Sequence, residues 1–409
     1  MKLIVLTYGT EGDTRPLAAL CRKLLDAGHD VCLYADANTL SSAKNLYVPH
    51  EALSGNIKEH LEALVKNGNG VNATVTGLSR IANEQAENWM RQMAKASEHC
   101  DGIIVSGLTA FAGLSVGEYL NIPVIGAGMI PISPTRAFAS PFIPADSMPS
   151  LFNRPSHHLI NWMLWLSFRK AINRARKRVL GMNPRNSLWT GHPMLYGISP
   201  SLLPAPADWP DNIRLCGQWL EPDIAWKPPD ELEQFLAAGE PPIYVGFGSM
   251  VGFDQDRLLS LFLEVLKGER VIVQSGWSNF TAPDLPDNFL KISDANHNWL
   301  LPRVSMAIHH GGSGTTHSAC LAGIPSVVLP FAGDQFFWAN QLRKLGIMEG
   351  TTSTKKPDSA SLRQAIQFAR TPEAISCASI LGEKMSNENG TQIAVEMIER
   401  LLDARKQIK

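Results

Sequence analysis

No stretch of this 409-residue chain approaches, free of charge, the roughly 20 apolar residues that a membrane-spanning helix needs. Charge of one sign is lacking too. Thirty-seven Lys and Arg stand against 38 Asp and Glu, a net charge of −1 that gives no case for nucleic acid as a bulk electrostatic partner. Six cysteines (Cys21, Cys32, Cys100, Cys216, Cys320, Cys377) are scattered with no CxxC pair, so they read as free thiols in a reducing compartment. The first residues, KLIVLT, read as a strand and lack the long apolar region and cleavage site of a signal peptide. No internal repeat or low-complexity tract is visible. The expectation is a soluble cytoplasmic protein.

What is present is ample core. A 44% hydrophobic content over 409 residues is more than one ordinary domain and suggests two. In the first half, strand and helix patterns alternate: Leu3–Thr7, then Pro16–Ala27 closed by Gly28, then Val31–Tyr34. Gly102–Val105, Ala110–Leu120 and Pro123–Ile125 repeat the theme. Such β–α–β units imply a mostly parallel sheet with helices on both faces. Proline and polar residues dominate Ser199–Pro229, a linker signature. The alternation then restarts with Ile243–Phe247, Arg257–Lys267, Val271–Gln274, Met306–His309 and Ser326–Leu329. The expected division is a domain over 1–215, a linker over 216–229, a second domain over 230–385, and a helical tail over 386–409 that can pack back on the first domain.

The segment Ser305–Leu342 carries the most chemistry. A strand ends in His309–His310, a turn with Gly311, Gly312 and Gly314 follows, and a helix pattern comes next. A helix N-terminus offers free N–H groups and a positive dipole end, and glycines let the backbone approach an anion. The segment reads as a diphosphate site. It is not a P-loop, since no Lys follows the last glycine, and its spacing is not GxGxxG. His309 can donate to a phosphate oxygen; the alternative is a satisfied core histidine. Only one of the pair can face a ligand, because neighbours on a strand point to opposite faces. Ser313, Thr315 and Thr316 offer hydroxyls, or serve as helix caps. Ser249, after the strand-like PPIYV and within GFGS, can reach the same phosphates from the opposite wall.

Asp13 lies in YGTEGDTRPLAAL. Two readings stand side by side: a general base facing a crevice, or a helix N-cap with Pro16 in the first turn. His157–Leu180 combines Trp162, Trp165, Leu166 and Phe168 with a cluster of Arg and Lys. It reads either as an amphipathic helix on an anionic membrane surface or as a core helix with a solvated basic end.

HHGGSGTT followed by GIPSVVLPFAGDQFFWA resembles the donor-binding signature of the UDP-glycosyltransferase superfamily, GT-B fold, in its bacterial natural-product and sterol glycosyltransferase branches. GTEGDTRP resembles that branch's GxRGDxxP loop, with Glu11 where Arg is common; GFGSM, Ser275–Trp277 and His297–Val304 fall in the family's order. The resemblance implies two Rossmann-like doubly wound domains facing across a cleft. It implies that His309, Gly311, Gly312, Ser313, Gly314 and Thr315 hold the diphosphate, with Ser249 opposite and Gly12 on the donor side. Trp277 and His297 are then near the base, and Asp334 and Gln335 on the sugar hydroxyls. Plant members place a Glu for the ribose where this chain has His317.

On that resemblance, Asp13 is the base and the reaction is inverting transfer of a hexose, glucose from UDP-glucose, to an acceptor hydroxyl. No clustered acidic set suggests a metal, and no cofactor is expected beyond the sugar-nucleotide co-substrate. An apolar acceptor pocket is expected from Phe111, Met129, Ile130, Phe138 and Phe142. The acceptor's identity and the choice of UDP over TDP stay open. A sugar-nucleotide epimerase of the same layout and a non-catalytic nucleotide-sugar-binding protein are the rival readings. Contact with the inner membrane face is the one membrane association the sequence leaves open.

Overall fold

The computed structural model describes residues 1–60, 71–144, 147–221, 226–248, 254–274, 285–293, 295–350 and 358–406. Short apolar runs set its two sheets. The first holds β1 (Lys2–Leu6), β2 (Asp30–Asp36), β3 (His50–Leu53), β4 (Gly102–Val105), β5 (Val124–Gly128), β6 (Met194–Tyr196) and β7 (Ile213–Leu215), in the order β3-β2-β1-β4-β5-β6-β7. The second holds β8 (Ile243–Gly246), β9 (Val271–Gln274), β10 (Phe289–Ile292), β11 (Met306–His309) and β12 (Ser326–Val328), in the order β10-β9-β8-β11-β12. Every pairing is parallel. Parallel strands covered on both faces need apolar residues at every position, and β4, β8 and β11 are buried throughout.

The first sheet is flanked by α1 (Glu11–Asp26), α2 (Ser41–Asn45), α3 (Val71–Ala96), α4 (Ala110–Leu120) and α5 (Asn153–Leu180). The second has α6 (Asp230–Ala237), α7 (Gln255–Val265), α8 (His297–Leu300), α9 (Ser313–Leu321), α10 (Gln335–Lys344), α11 (Ser359–Ala369) and α12 (Pro372–Ser386). This is the two-sheet, doubly wound architecture expected from the resemblance. The proline-rich stretch read as linker differs in one respect: its residues Ile213–Leu215 form the edge strand β7. Three residues hydrogen-bonded on one side make no periodic signal.

The final helix, α13 (Gly390–Lys406), returns to the first domain. Ala394, Val395, Ile398 and Leu402 join Leu3, Leu17, Leu20 and Val31 in one buried cluster. His29 Nε2 lies 2.9 Å from Glu399 Oε1 at its edge. Where the two interdomain crossings pass, a Cβ on Gly390 would stand 2.3 Å from the Gln218 carbonyl, so only glycine fits. A further cluster spans both sheets, with Tyr196, Leu202 and Leu215 from one side meeting Phe337, Trp338 and Leu342 from the other.

If α13 is part of the first domain's core, Ile398→Ala lowers stability by about 2–5 kcal/mol in urea unfolding. A loss of about 0.5 kcal/mol or less, as for a surface substitution, would show that the helix is not docked.

Candidate functional site

In a doubly wound sheet, ligands bind beyond the carboxyl ends of the strands where the strand order reverses. In the second sheet that point lies between β8 and β11, where His309 pairs with Gly246. In the first it lies between β1 and β4, and the β1 loop delivers Asp13.

The glycine turn after β11 is fixed sterically. Gly311 has φ +86, and a Cβ there would meet Val328 Cγ1 at 2.7 Å. Gly312 is the N-cap of α9 and has no side chain to satisfy the helix. The hydroxyls of Ser313 and Thr315 therefore sit in the first turn and are not its caps, and Thr316 is buried. The N–H groups of Ser313, Gly314 and Thr315 meet no acceptor among the described residues. Gly314 is exposed, and a Cβ there would find nothing within 4 Å. An uncapped, positively polarised helix end thus opens on space.

His309 is fully buried at the base of that space. Its Nδ1 accepts from the Gly311 N–H at 3.1 Å. A neutral ring so held carries its proton on Nε2, and that nitrogen is buried without a partner. Burial and its neighbours His310 and His297 hold the pKa down to about 3, so the ring stays neutral and donates through the ordinary pH range. A buried donor with no acceptor calls for one. His310 is half-buried between Gly248 and Gly312, and its Nδ1 is buried with no hydrogen-bond partner among the described residues. His297 Nε2 lies 3.0 Å from Tyr244 Oη and 3.1 Å from Gln274 Oε1, at the ends of β8 and β9. Burial, with the positive charge of Arg15 across the crevice, holds it down to about 4. Ser249 and Trp277 lie outside the described residues.

Helix α1 begins one turn earlier than the pattern suggested. Thr10 is the N-cap and Asp13 the third helical residue, so Asp13 is not itself the cap and Pro16 lies beyond the first turn. The Thr10 N–H donates to Asp13 Oδ2 at 2.8 Å and the Thr10 hydroxyl at 3.3 Å. No hydrogen bond from the described residues engages Oδ1. Asp13 is therefore held by one oxygen and open at the other, which reconciles the capping and general-base readings. A Cβ on Gly9 would stand 2.1 Å from Oδ2, so the loop needs glycine there to seat the carboxylate. Burial pushes its pKa above the usual carboxylate range, against the two Thr10 bonds. Gly12 is exposed beside it.

Asp334 faces Asp13 from the second domain. Its carboxyl is pushed up to about 6, chiefly by burial and also by the charge of Asp13, against the Trp338 Nε1–H donated to Oδ2 at 2.8 Å. Gln335 has a structural role beside the expected one. Its Oε1 accepts from the N–H groups of Phe331 (2.6 Å) and Ala332 (3.1 Å), and the side chain is buried. It shapes the loop that presents Asp334. His317 is also turned inward: Nδ1–H donates to the Ser313 carbonyl at 2.7 Å and Nε2 accepts from the Ser199 N–H at 3.3 Å. It bridges the two domains, and its sequence position gave no sign of a partner 118 residues away.

On the first-domain side, Phe111 packs on Trp165 (5.1 Å between centroids) and Phe168 (5.6 Å) at the start of α4, and Met129 and Ile130 follow β5. These share the carboxyl edge of the sheet with Asp13. Phe138 does not join them: it is buried against Phe337, 5.2 Å away, in the interdomain cluster. Phe142 is exposed in the loop before α5.

Gly314→Asp puts a carboxylate at the helix start without strain. The substitution keeps or raises Tm, since the dipole favours an acid there, but calorimetry should find UDP binding lost. His309→Ala removes a hydrogen bond to a charged group, about 1.5–3 kcal/mol, or roughly ten- to a hundredfold in UDP affinity. Normal UDP affinity in both variants would remove this pocket as the diphosphate site.

Residues 265–401 match the family model for the C-terminal domain of erythromycin biosynthesis protein CIII-like proteins. The chain is 32% identical over 98% of its length to a sterol 3-beta-glucosyltransferase of Neurospora crassa, and 31% identical over 100% to one of Leptosphaeria maculans. It spans only 27% and 29% of those two relatives. Among solved structures it is similar to the glycotransferase of kitacinnamycin, with TM-score 0.74 and 18% identity over 98% of this chain and 99% of that one. It is also similar to the glycosyltransferase VinC in complex with DTDP, with TM-score 0.70 and 17% identity over 99% and 100%. With two parallel sheets joined in this order and these likenesses along its whole length, the chain belongs to the UDP-glycosyltransferase superfamily of GT-B fold.

Proposed function

We propose that the chain transfers a hexosyl group, glucose from UDP-glucose, to a hydroxyl of an apolar acceptor of sterol or natural-product type, with inversion. The observation that carries this reading is the opposition of two features across one crevice: the uncapped α9 N-terminus with the orphan Nε2–H of His309, and the open Oδ1 of Asp13. The sterol 3-beta-glucosyltransferases among its relatives support the acceptor class.

As the glycosidic bond breaks, negative charge grows on the β-phosphate. Helix N–H groups and a neutral histidine donor aimed there stabilise it without reorganising, which is the most effective form of electrostatic catalysis. That assistance calls on no metal. Asp13 takes the acceptor's proton as its oxygen bonds to the anomeric carbon, and attack from the Asp13 side, opposite the departing UDP, inverts that carbon. Asp334, presented by the Gln335-braced loop, accepts hydrogen bonds from the sugar hydroxyls. Phe111, Met129 and Ile130 offer the acceptor an apolar wall beside Asp13.

Mass spectrometry of UDP-glucose incubated with sterols should reveal a hexosylated product, undiminished by EDTA. Conversion of UDP-glucose without acceptor, or no product from any apolar alcohol, would sink the proposal. Asp13→Ala should lower kcat by about 10²–10⁴-fold with UDP binding nearly unchanged.

The pH dependence has a definite sign. A base must be ionised, and burial raises Asp13, so kcat/KM falls with decreasing pH along a limb lying above the ordinary Asp value of about 3.9. Asp13→Asn removes the negative charge that helps to raise Asp334, so it should lower the pH at which the Asp334 carboxyl titrates by NMR. An Asp334 titration unmoved in Asp13→Asn would show that the two carboxyls do not sense each other.

A further inference from the structure

Helix α5 has two apolar faces of opposite fate. Trp165, Phe168 and Ile172 are buried in the first domain's core against α3 and α4. Leu159, Trp162, Met163 and Leu166, spaced i, i+3, i+4 and i+7, form a single stripe on the outside, between 36% and 54% exposed. In the turn before the helix, Phe152 and Leu151 extend it, with Leu151 at 80%. An exposed apolar stripe of this size marks an interaction site.

Its flanks are basic. Further along the same helical face come Lys170, Arg174 and Lys177, all exposed, and the 28 residues of α5 contain no Asp or Glu. At the other end an open groove of about 650 Å³ is lined by Arg136, Arg154 and His158, with Leu151, Pro155 and Ser150. Two carboxylates lie nearby: Asp208 accepts from the Thr135 hydroxyl and the Arg136 N–H and lies in the field of Arg154, and Glu87 pairs with Arg178. In a chain of net charge −1, this is a local positive field around an apolar centre.

We propose that this face docks on an anionic lipid bilayer. Trp162 and Met163 sink into the interface, and the Arg136–Arg154 groove takes a lipid headgroup phosphate. Among the described residues no helix is long and apolar enough to cross a membrane, so α5 lies along the surface. A second copy of the chain fits less well, because a two-fold contact would set one basic flank against another. Sedimentation with vesicles needs no sugar donor, so docking stands or falls independently of the transfer reaction.

The test is co-sedimentation of the full chain with phosphatidylcholine vesicles and with phosphatidylcholine–phosphatidylglycerol vesicles, at low and high salt. The chain should pellet with the anionic vesicles, and salt should weaken the binding. Arg136→Gln with Arg154→Gln should weaken it about thirtyfold, since each basic residue near the surface contributes about a fivefold factor. Trp162→Glu with Met163→Glu, both at exposed positions and checked for an unchanged Tm, should abolish it. Failure of the wild-type chain to pellet with anionic vesicles overturns the proposal, as does equal binding by the Trp162/Met163 variant. Analytical ultracentrifugation closes the remaining case: self-association lost in that variant, without vesicle binding, would identify the face as a contact between copies and overturn docking.

Discussion

At Gly312 the chain gives up the side-chain cap that helices commonly use, and the first N–H groups of α9 are left facing a crevice. This costs stability locally, because free donors at a helix start are ordinarily satisfied. The neighbouring geometry holds the arrangement in place. Gly311 adopts a conformation that side chains avoid, wedged against Val328 and the Gln335 carbonyl, and a Cβ on Gly312 would collide with His310. The same turn gives its Gly311 N–H to His309 Nδ1, which decides where the histidine carries its proton. Helix end and histidine donor are thus two outcomes of one backbone path, and both point at whatever anion enters.

That site is half complete by itself. The carboxylate it needs belongs to a different sheet, and the distance between them depends on how the domains are fastened. Among the described residues the fastenings include the cluster in which Tyr196 and Leu215 share a core with Trp338 and Leu342, the Ser199–His317 bond, and the backbone crossing at Gly390. The charge of Asp13 felt at Asp334 is the electrostatic sign that they bring the two walls within reach. His317 shows how a residue in the donor signature can be redirected. Burial holds it down to about 4, so at neutral pH it is an uncharged bridge with a donor at one nitrogen and an acceptor at the other. A charged side chain could not fill that buried place without an added partner.

The elements most legible in the sequence were those buried on both faces. Gly102–Val105, Val271–Gln274 and Met306–His309 read as strands because parallel strands under two helical layers must be apolar throughout. Strands β6 and β7 were not legible, since each lies among prolines and polar residues, whereas β12, equally short, sits in the apolar run Ser326–Leu329. The Asp13 loop showed an acid at a helix start but not its register: Thr10 supplies the cap, and the sequence does not distinguish a third helical residue from the cap itself. Gln335 has a structural role that the sequence did not show, for a related reason. A carboxamide beside an acid in a loop can serve a ligand or the loop's own N–H groups, and nothing local in the sequence distinguishes them.

Helix α5 presents the same limit in its sharpest form. Trp162 and Trp165 stand three residues apart in one apolar-rich helix, yet the first is 53% exposed and the second 1%. The sequence offers a membrane-facing helix and a core helix as alternatives, whereas the fold gives it one buried and one exposed apolar face. The inner face carries Trp165 and Phe168 onto Phe111, beside the loop that holds Asp13. The outer face carries the apolar stripe. One rigid element therefore connects the exposed surface to the apolar wall of the crevice. On the proposed docking and transfer, an acceptor poorly soluble in water would pass from lipid to pocket along apolar surface and avoid full hydration.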